Sequence, residues 1–253
     1  MAKGNVLVAA SGKGGTGKTS VVAGVGACLA SLGKKVLLVD CDVGMRNLDL
    51  VLGLHQSTAL DLFDVLLYDT PVESALAVHP EFPGLSLLSC PGLPPENWPG
   101  ERDMKDLVDK LRRQYDFILL DAPAGLGQGL FLAACAADTA VLVSTLDETA
   151  LRDGQLTARA LRERGLAVKL IVNRVRPRAV RRGDAKNVDQ AMDQVGAGLL
   201  GVIPEDPRVS ASANRGRAAP QRGYESAARA YLRIARRLNG EEIPLKRLKG
   251  GAI

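Results

Sequence analysis

The sequence predicts an α/β fold in three layers, a mostly parallel sheet flanked by helices on both faces. Three observations predict it. Short apolar runs recur along the 253 residues, at 5–10, 35–40, 85–89, 117–121, 139–144, 168–173 and 199–203. Each has the length of a buried parallel strand. Helix-like stretches separate most of them, at 18–32, 59–67, 102–114, 149–164, 187–195 and 224–238, and such alternation builds βαβ units. The first strand runs straight into a glycine-rich turn, SGKGGTGKTS at 11–20.

That turn sets the chemistry. Gly12, Gly17, Lys18 and Thr19 fit the spacing G-x-x-x-x-G-K-[ST], with Gly14, Gly15 and Thr16 inside it and Ser20 just after. The spacing wraps backbone N–H groups around phosphates, puts a lysine on the β/γ-phosphates and a hydroxyl on Mg²⁺. Residues 5–10 (NVLVAA) supply the strand before it. Residues 18–32 supply the helix after it, with Gly33 as the stop. The helix N-terminus then faces the anion, as in a P-loop NTPase fold. Lys13 is a second cation, one more than this loop requires. It reaches either its own nucleotide or that of a second subunit.

The second strand ends in LLVDCDVG, which places Asp40 and Asp42 at its carboxyl end, where α/β sheets bind ligands. Residues 91–100 (PGLPPENWPG) form a proline-rich loop. The run FILLDAPAG places Asp121 at another strand end. An aspartate there, close to a phosphate loop, holds Mg²⁺ or its water shell, and Asp121 is the best candidate. Asp42 is placed to orient an attacking water. Each, taken alone, also reads as a turn or capping residue. Asn173 closes the sixth run and carries an amide suited to a purine edge, although a polar strand end reads equally well. Residues 174–186 are arginine-rich without periodicity and read as a surface excursion. Pro204, Glu205 and Asp206 follow the last strand and offer backbone groups to a base. The helix at 224–238 has one apolar face, with arginines mainly on the other. Residues 1–240 read as a single ATPase domain, and 241–253 as a short basic, amphipathic tail.

Composition narrows the class. Hydrophobic residues make up 46 %, enough for a large core, and 4 % aromatics mean that Ala, Val and Leu fill it. No apolar run reaches the roughly 18 residues needed to span a bilayer, and no cleavable leader is expected ahead of the first strand. The four cysteines, Cys28, Cys41, Cys90 and Cys135, form no C-x-x-C pair. They read as buried small hydrophobes in a reducing compartment. Residues 204–253 hold 11 Lys and Arg against 5 Asp and Glu, so all of the net charge of +5 lies there. Such an excess suits an anionic membrane or nucleic acid.

The early lysine in KGGTGKTS resembles the deviant phosphate loop of the ParA/MinD ATPase superfamily. DCDVGMRNLD (40–49), DAPAGLGQG (121–129), Arg152-Asp153, NRVRPRAVRRGD (173–184), GVIPED (201–206) and Asn214-Arg215-Gly216 are similar to segments of its MinD cell-division-site branch. The resemblance covers almost the whole chain. It implies an ATP-dependent homodimer with ATP and Mg²⁺ as cofactors, and a slow, partner-stimulated ATPase. Lys18 and Thr19 are then on phosphate and Mg²⁺, Lys13 crosses to the other subunit's phosphates, and Asp42 and Asp121 act on water and metal. Asn47 lies near the γ-phosphate, and Asn173, with Arg174 beside it, lies on the base. Arg152 and Asp153 fall on the helix that binds regulators. The implied partners are a MinC-like division inhibitor, a MinE-like activator and the anionic inner membrane, with the protein cytoplasmic and reversibly attached.

Two departures stand out. Thr16 replaces a frequent valine, a β-branched swap of little expected consequence. In the tail Ile243, Leu245, Leu248 and Ile253, with Lys246, Arg247 and Lys249, form one to two turns without Phe or Trp, which predicts weak membrane binding. The alternative is a ParA-type partition or flagellar-number ATPase that binds DNA. A metabolic or iron–sulfur ATPase of the superfamily is disfavoured by the lack of paired cysteines.

Overall fold

A computed structural model describes residues 3–55, 57–93, 96–218 and 226–245. Eight strands form one sheet in the order β3-β4-β2-β5-β1-β6-β7-β8. They are β1 (Asn5–Ala10), β2 (Val36–Asp40), β3 (Leu76–Val78), β4 (Leu85–Leu88), β5 (Phe117–Asp121), β6 (Thr139–Ser144), β7 (Ala167–Val175) and β8 (Gly198–Pro204). All pairings are parallel except β3 with β4. The seven predicted strands are present. The three-residue β3 is too short to give a period-2 signal.

Alternate residues of the central strands enter different cores, as a sheet covered on both faces requires. Val6, Val8 and Ala10 join the core under one helix layer, and Leu7 and Ala9 the core under the other. The second core is closed by α1 (Lys18–Ser31) and α11 (Ala227–Leu238). These two helices meet where Gly24 leaves room for the ring of Tyr231; a Cβ on Gly24 would lie 2.4 Å from it. The first core lies under α5 (Glu101–Leu111), α6 (Gln128–Ala134), α7 (Glu148–Glu163) and α9 (Val188–Val195). Shorter helices complete the chain: α2 (Leu48–Leu52), α3 (Leu62–Leu67), α4 (Val72–Ala75), α8 (Pro177–Arg182) and α10 (Pro207–Ala213).

Two expectations need correction. Residues 174–186 are not an irregular excursion: β7 extends to Val175 and α8 follows. Helix α8 has no buried residue, so it carries no apolar period to read. Cys41 and Cys90 are buried as expected, whereas Cys28 and Cys135 are only half-buried. Of the tail, Arg237 donates to the carbonyls of Leu200, Ile243 and Pro244 at 2.8–2.9 Å. Lys246, Arg247, Leu248, Lys249 and Ile253 lie outside the described residues. Among the described residues no helix is long and apolar enough to cross a membrane.

Candidate nucleotide site

The site is built at the carboxyl ends of β1, β2, β5 and β7. The loop after β1 must turn sharply with its N–H groups facing inward, and its glycines permit this. Gly15 and Gly17 both have φ 85°, a conformation that side chains disfavour. Gly12 lies against the α7 backbone, where a Cβ would stand 2.2 Å from the carbonyl carbon of Asp153. Nothing stands within 4 Å of a Cβ at Gly14 or Gly15, so that arc is open to a ligand. Gly17 then begins α1, and the free N–H groups of the first turn (Lys18, Thr19, Ser20) point into the same space.

Lys18 and Asp121, expected on phosphate and on metal respectively, form an ion pair with each other. Both are buried, and Lys18 Nζ donates to Asp121 Oδ1 at 2.5 Å. The other oxygen, Asp121 Oδ2, is buried without a hydrogen-bond partner. A buried carboxylate oxygen left over beside a phosphate loop fits a cation or its water. Among the described residues no cluster of three or more His, Cys, Asp or Glu could hold a metal. A Mg²⁺ here therefore also needs Thr19, which is partly buried in the first turn of α1, and phosphate oxygens. Asp42 sits half-buried above this pair. Burial lifts its carboxyl above the ordinary range, and Asp121 adds to the lift while Lys18 opposes it.

Asp40, which the sequence placed at the strand end without a role, binds the loop after β2. Its carboxylate accepts from Asp42 N at 2.9 Å and Leu48 N at 3.2 Å. Burial, and then the charge of Asp121, raise its pKa to about 7. Asn47 stands at the N-terminus of α2, partly buried, at the end of that loop.

At the base end Asn173 is buried, and its Nδ2 donates to the carbonyl of Thr16 at 2.7 Å. One amide hydrogen thus fixes the phosphate loop, which leaves its other N–H and its carbonyl for a purine. Arg174, with φ 54°, lines a cleft of about 380 Å³ with Lys13, Gly14, Gly15, Thr16 and Asp147. The expected pocket residues Pro204 and Glu205 line an adjoining cleft with Arg176. The Glu205 carboxylate is held by Arg176 through two bonds of 2.6 Å. The Asp206 side chain caps α10 and accepts from Ala227 N at 3.1 Å. It is a structural group, and only the backbone of 204–206 remains for a ligand.

Two findings were not legible in the sequence. Lys13 is exposed at the rim, and its Nζ donates to Thr149 Oγ1 at 3.0 Å, a partner 136 residues away. Thr16 is 3 % exposed and its hydroxyl has no partner, so the swap for valine is not innocuous: it buries an unpaired polar group.

Comparison with known proteins identifies the family. The family described as CobQ/CobB/MinD/ParA nucleotide binding domain matches residues 7–219. The septum site-determining protein MinD of Synechocystis is 36 % identical over 241 residues, covering 94 % of this chain and 91 % of that protein. The MinC:MinD cell division protein complex of Aquifex aeolicus contains a chain with TM-score 0.87 and 36 % identity, covering 96 % of this chain and 98 % of that one. MinD of Pyrococcus horikoshii complexed with Mg-ADP gives TM-score 0.81 at 31 % identity, covering 93 % and 96 %. A ParA family ATPase of Chlorobium tepidum, at 20 % identity and TM-score 0.75 over 92 % and 99 %, shares the fold.

Proposed function

Because the chain belongs to the MinD/ParA nucleotide-binding family and to its MinD branch, we propose that this ATPase is a dimerising switch for division-site placement. The observation that carries the reading is the division of labour between two lysines in one loop. Lys18 is buried against Asp121, while Lys13 stands exposed at the rim. A buried lysine serves the nucleotide of its own subunit. An exposed one, held by a single neutral hydroxyl, is free to cross to another.

Phosphoryl transfer to water is mostly positioning and charge neutralisation. Mg²⁺, when bound, would neutralise negative charge on the phosphates. With nucleotide bound, Lys18 would hold phosphate, and Asp121 with Thr19 would hold the cation. Asp42 orients the water, Asn47 faces the γ-phosphate, and Asn173 and Arg174 hold the base. Turnover would be slow until a partner acts. Arg152 and Asp153 on α7 would receive the regulators, a MinC-like division inhibitor and, separately, the MinE-like activator that stimulates turnover. The MinC:MinD complex of Aquifex supports the first of these.

The dimer docks on anionic lipid through two tails, each weak alone, and gains from their effective concentration. Each basic residue adds about 1 kcal/mol near such a surface. Co-sedimentation with vesicles containing phosphatidylglycerol tests this. Binding is expected with ATP, not with ADP, and is lost on truncation after Asn239; ATP-independent binding or none contradicts the membrane role.

A further inference from the structure

The loop from β2 to α2 contains an ion pair that phosphate binding does not require. Arg46 has φ 39°, in the left-handed region where a Cβ crowds the following carbonyl oxygen. A long side chain stays there only where its surroundings hold it. Arg46 Nε donates to Asp49 Oδ2 at 2.8 Å. Asp49 lies in the first turn of α2 and is 3 % exposed, and its Oδ1 has no hydrogen-bond partner. A carboxylate that deep, with spare acceptor capacity, holds a neighbouring guanidinium firmly.

The rest of the loop is tied at its ends. Asp40 accepts from Asp42 N and Leu48 N, and the carbonyl of Asp42 accepts from Met45 N and Arg46 N. Between these ties Val43 packs on the core and Gly44 N donates to the Pro91 carbonyl at 3.2 Å, while Met45 is 65 % exposed, so the Arg46 end of the tip is the less supported one. Arg46 links the two site residues: its N–H reaches the Asp42 carbonyl at 3.2 Å, and Asn47 follows it directly in the chain.

We infer that Asp49 is a positioning residue for hydrolysis: by pairing with Arg46 it holds the left-handed turn that aims Asp42 and Asn47 at the phosphates. The inference rests on the reading of Asp42 as the water-orienting group. Arg46→Ala and Arg46→Gly isolate it, because both abolish the ion pair and leave Asp49 equally unpaired. They differ in tolerance of φ 39°. The glycine variant should hydrolyse ATP about tenfold faster than the alanine variant, with ADP affinities within about twofold of each other. Asp49→Asn should lower kcat by about tenfold or more, and adding Arg46→Gly should restore most of it. Equal rates for the two Arg46 variants, or an Asp49→Asn rate that Arg46→Gly does not improve, overturn the inference. Asp42→Ala is the control. If it hydrolyses ATP normally, the reading of Asp42 fails and the latch has nothing to aim. If it is inactive while Asp49→Asn and Arg46→Ala are as fast as the wild type, the latch alone fails.

Discussion

At the scale of single residues, the site is organised by charges that change partner. Lys18 has a buried carboxylate to satisfy before any phosphate arrives. Lys18→Ala should therefore do two things. It removes the phosphate contact, lowering ATP affinity by about 100-fold or more, and it leaves Asp121 buried without its cation, at a cost of about 3 kcal/mol or more. Isothermal titration and urea unfolding measure the two effects separately. Thr16→Val tests the buried hydroxyl. The isostere should raise the melting temperature of the nucleotide-free protein by about 3 °C, since an unpaired buried hydroxyl costs about 1–3 kcal/mol and each kcal/mol moves a chain this size by about 2–4 °C. A lower melting temperature would show that the hydroxyl is satisfied. The glycines, Lys18, Asp42 and Asp121 were legible because spacing and strand-end position are properties of the chain itself. The hydroxyl of Thr16 and the Lys13–Thr149 bond were not, because both depend on what a distant segment brings near.

At the scale of elements, legibility followed burial. The long helices and the seven parallel strands carry apolar periods because they face a core. Helix α8 buries no residue fully and meets the core only through half-buried Val180, and β3 is three residues long, so neither leaves a signal. The junction of α1 with α11 is of the opposite kind: large, apolar and dependent on one missing Cβ. Gly24→Ala should push the Tyr231 ring aside and destabilise the protein by about 1–3 kcal/mol, despite the better helix propensity of alanine. Urea denaturation measures this, and a stabilised variant would mean that the two helices separate without cost. The effect reaches beyond stability, because α1 begins at the phosphate loop and α11 leads to the tail.

At the scale of the whole molecule, the ends of β1, β2, β5 and β7 surround the candidate site, and the proposed outputs are distributed around it. The phosphate loop touches α7 through Gly12, α7 presents Arg152 and Asp153, and α11 fixes the base of the tail through Arg237. The basic charge of the last fifth of the chain is concentrated on that last route. The family and its fold could be read from sequence because the APAG and GVIPED stretches lie at strand ends and RNLD opens α2 beside them, so each is a local pattern in the chain. The tail beyond Leu245 could be read only as a pattern of apolar and basic residues.

The central claim is that ATP joins two subunits through Lys13. Light scattering on a size-exclusion column, with Mg-ATP and the Asp42→Ala protein to prevent hydrolysis, tests it most directly. The account predicts twice the mass of the ADP form for Asp42→Ala, and the monomer mass when Lys13→Ala is added, with ATP still bound. A monomeric Asp42→Ala protein, or a dimer that survives Lys13→Ala, would contradict it.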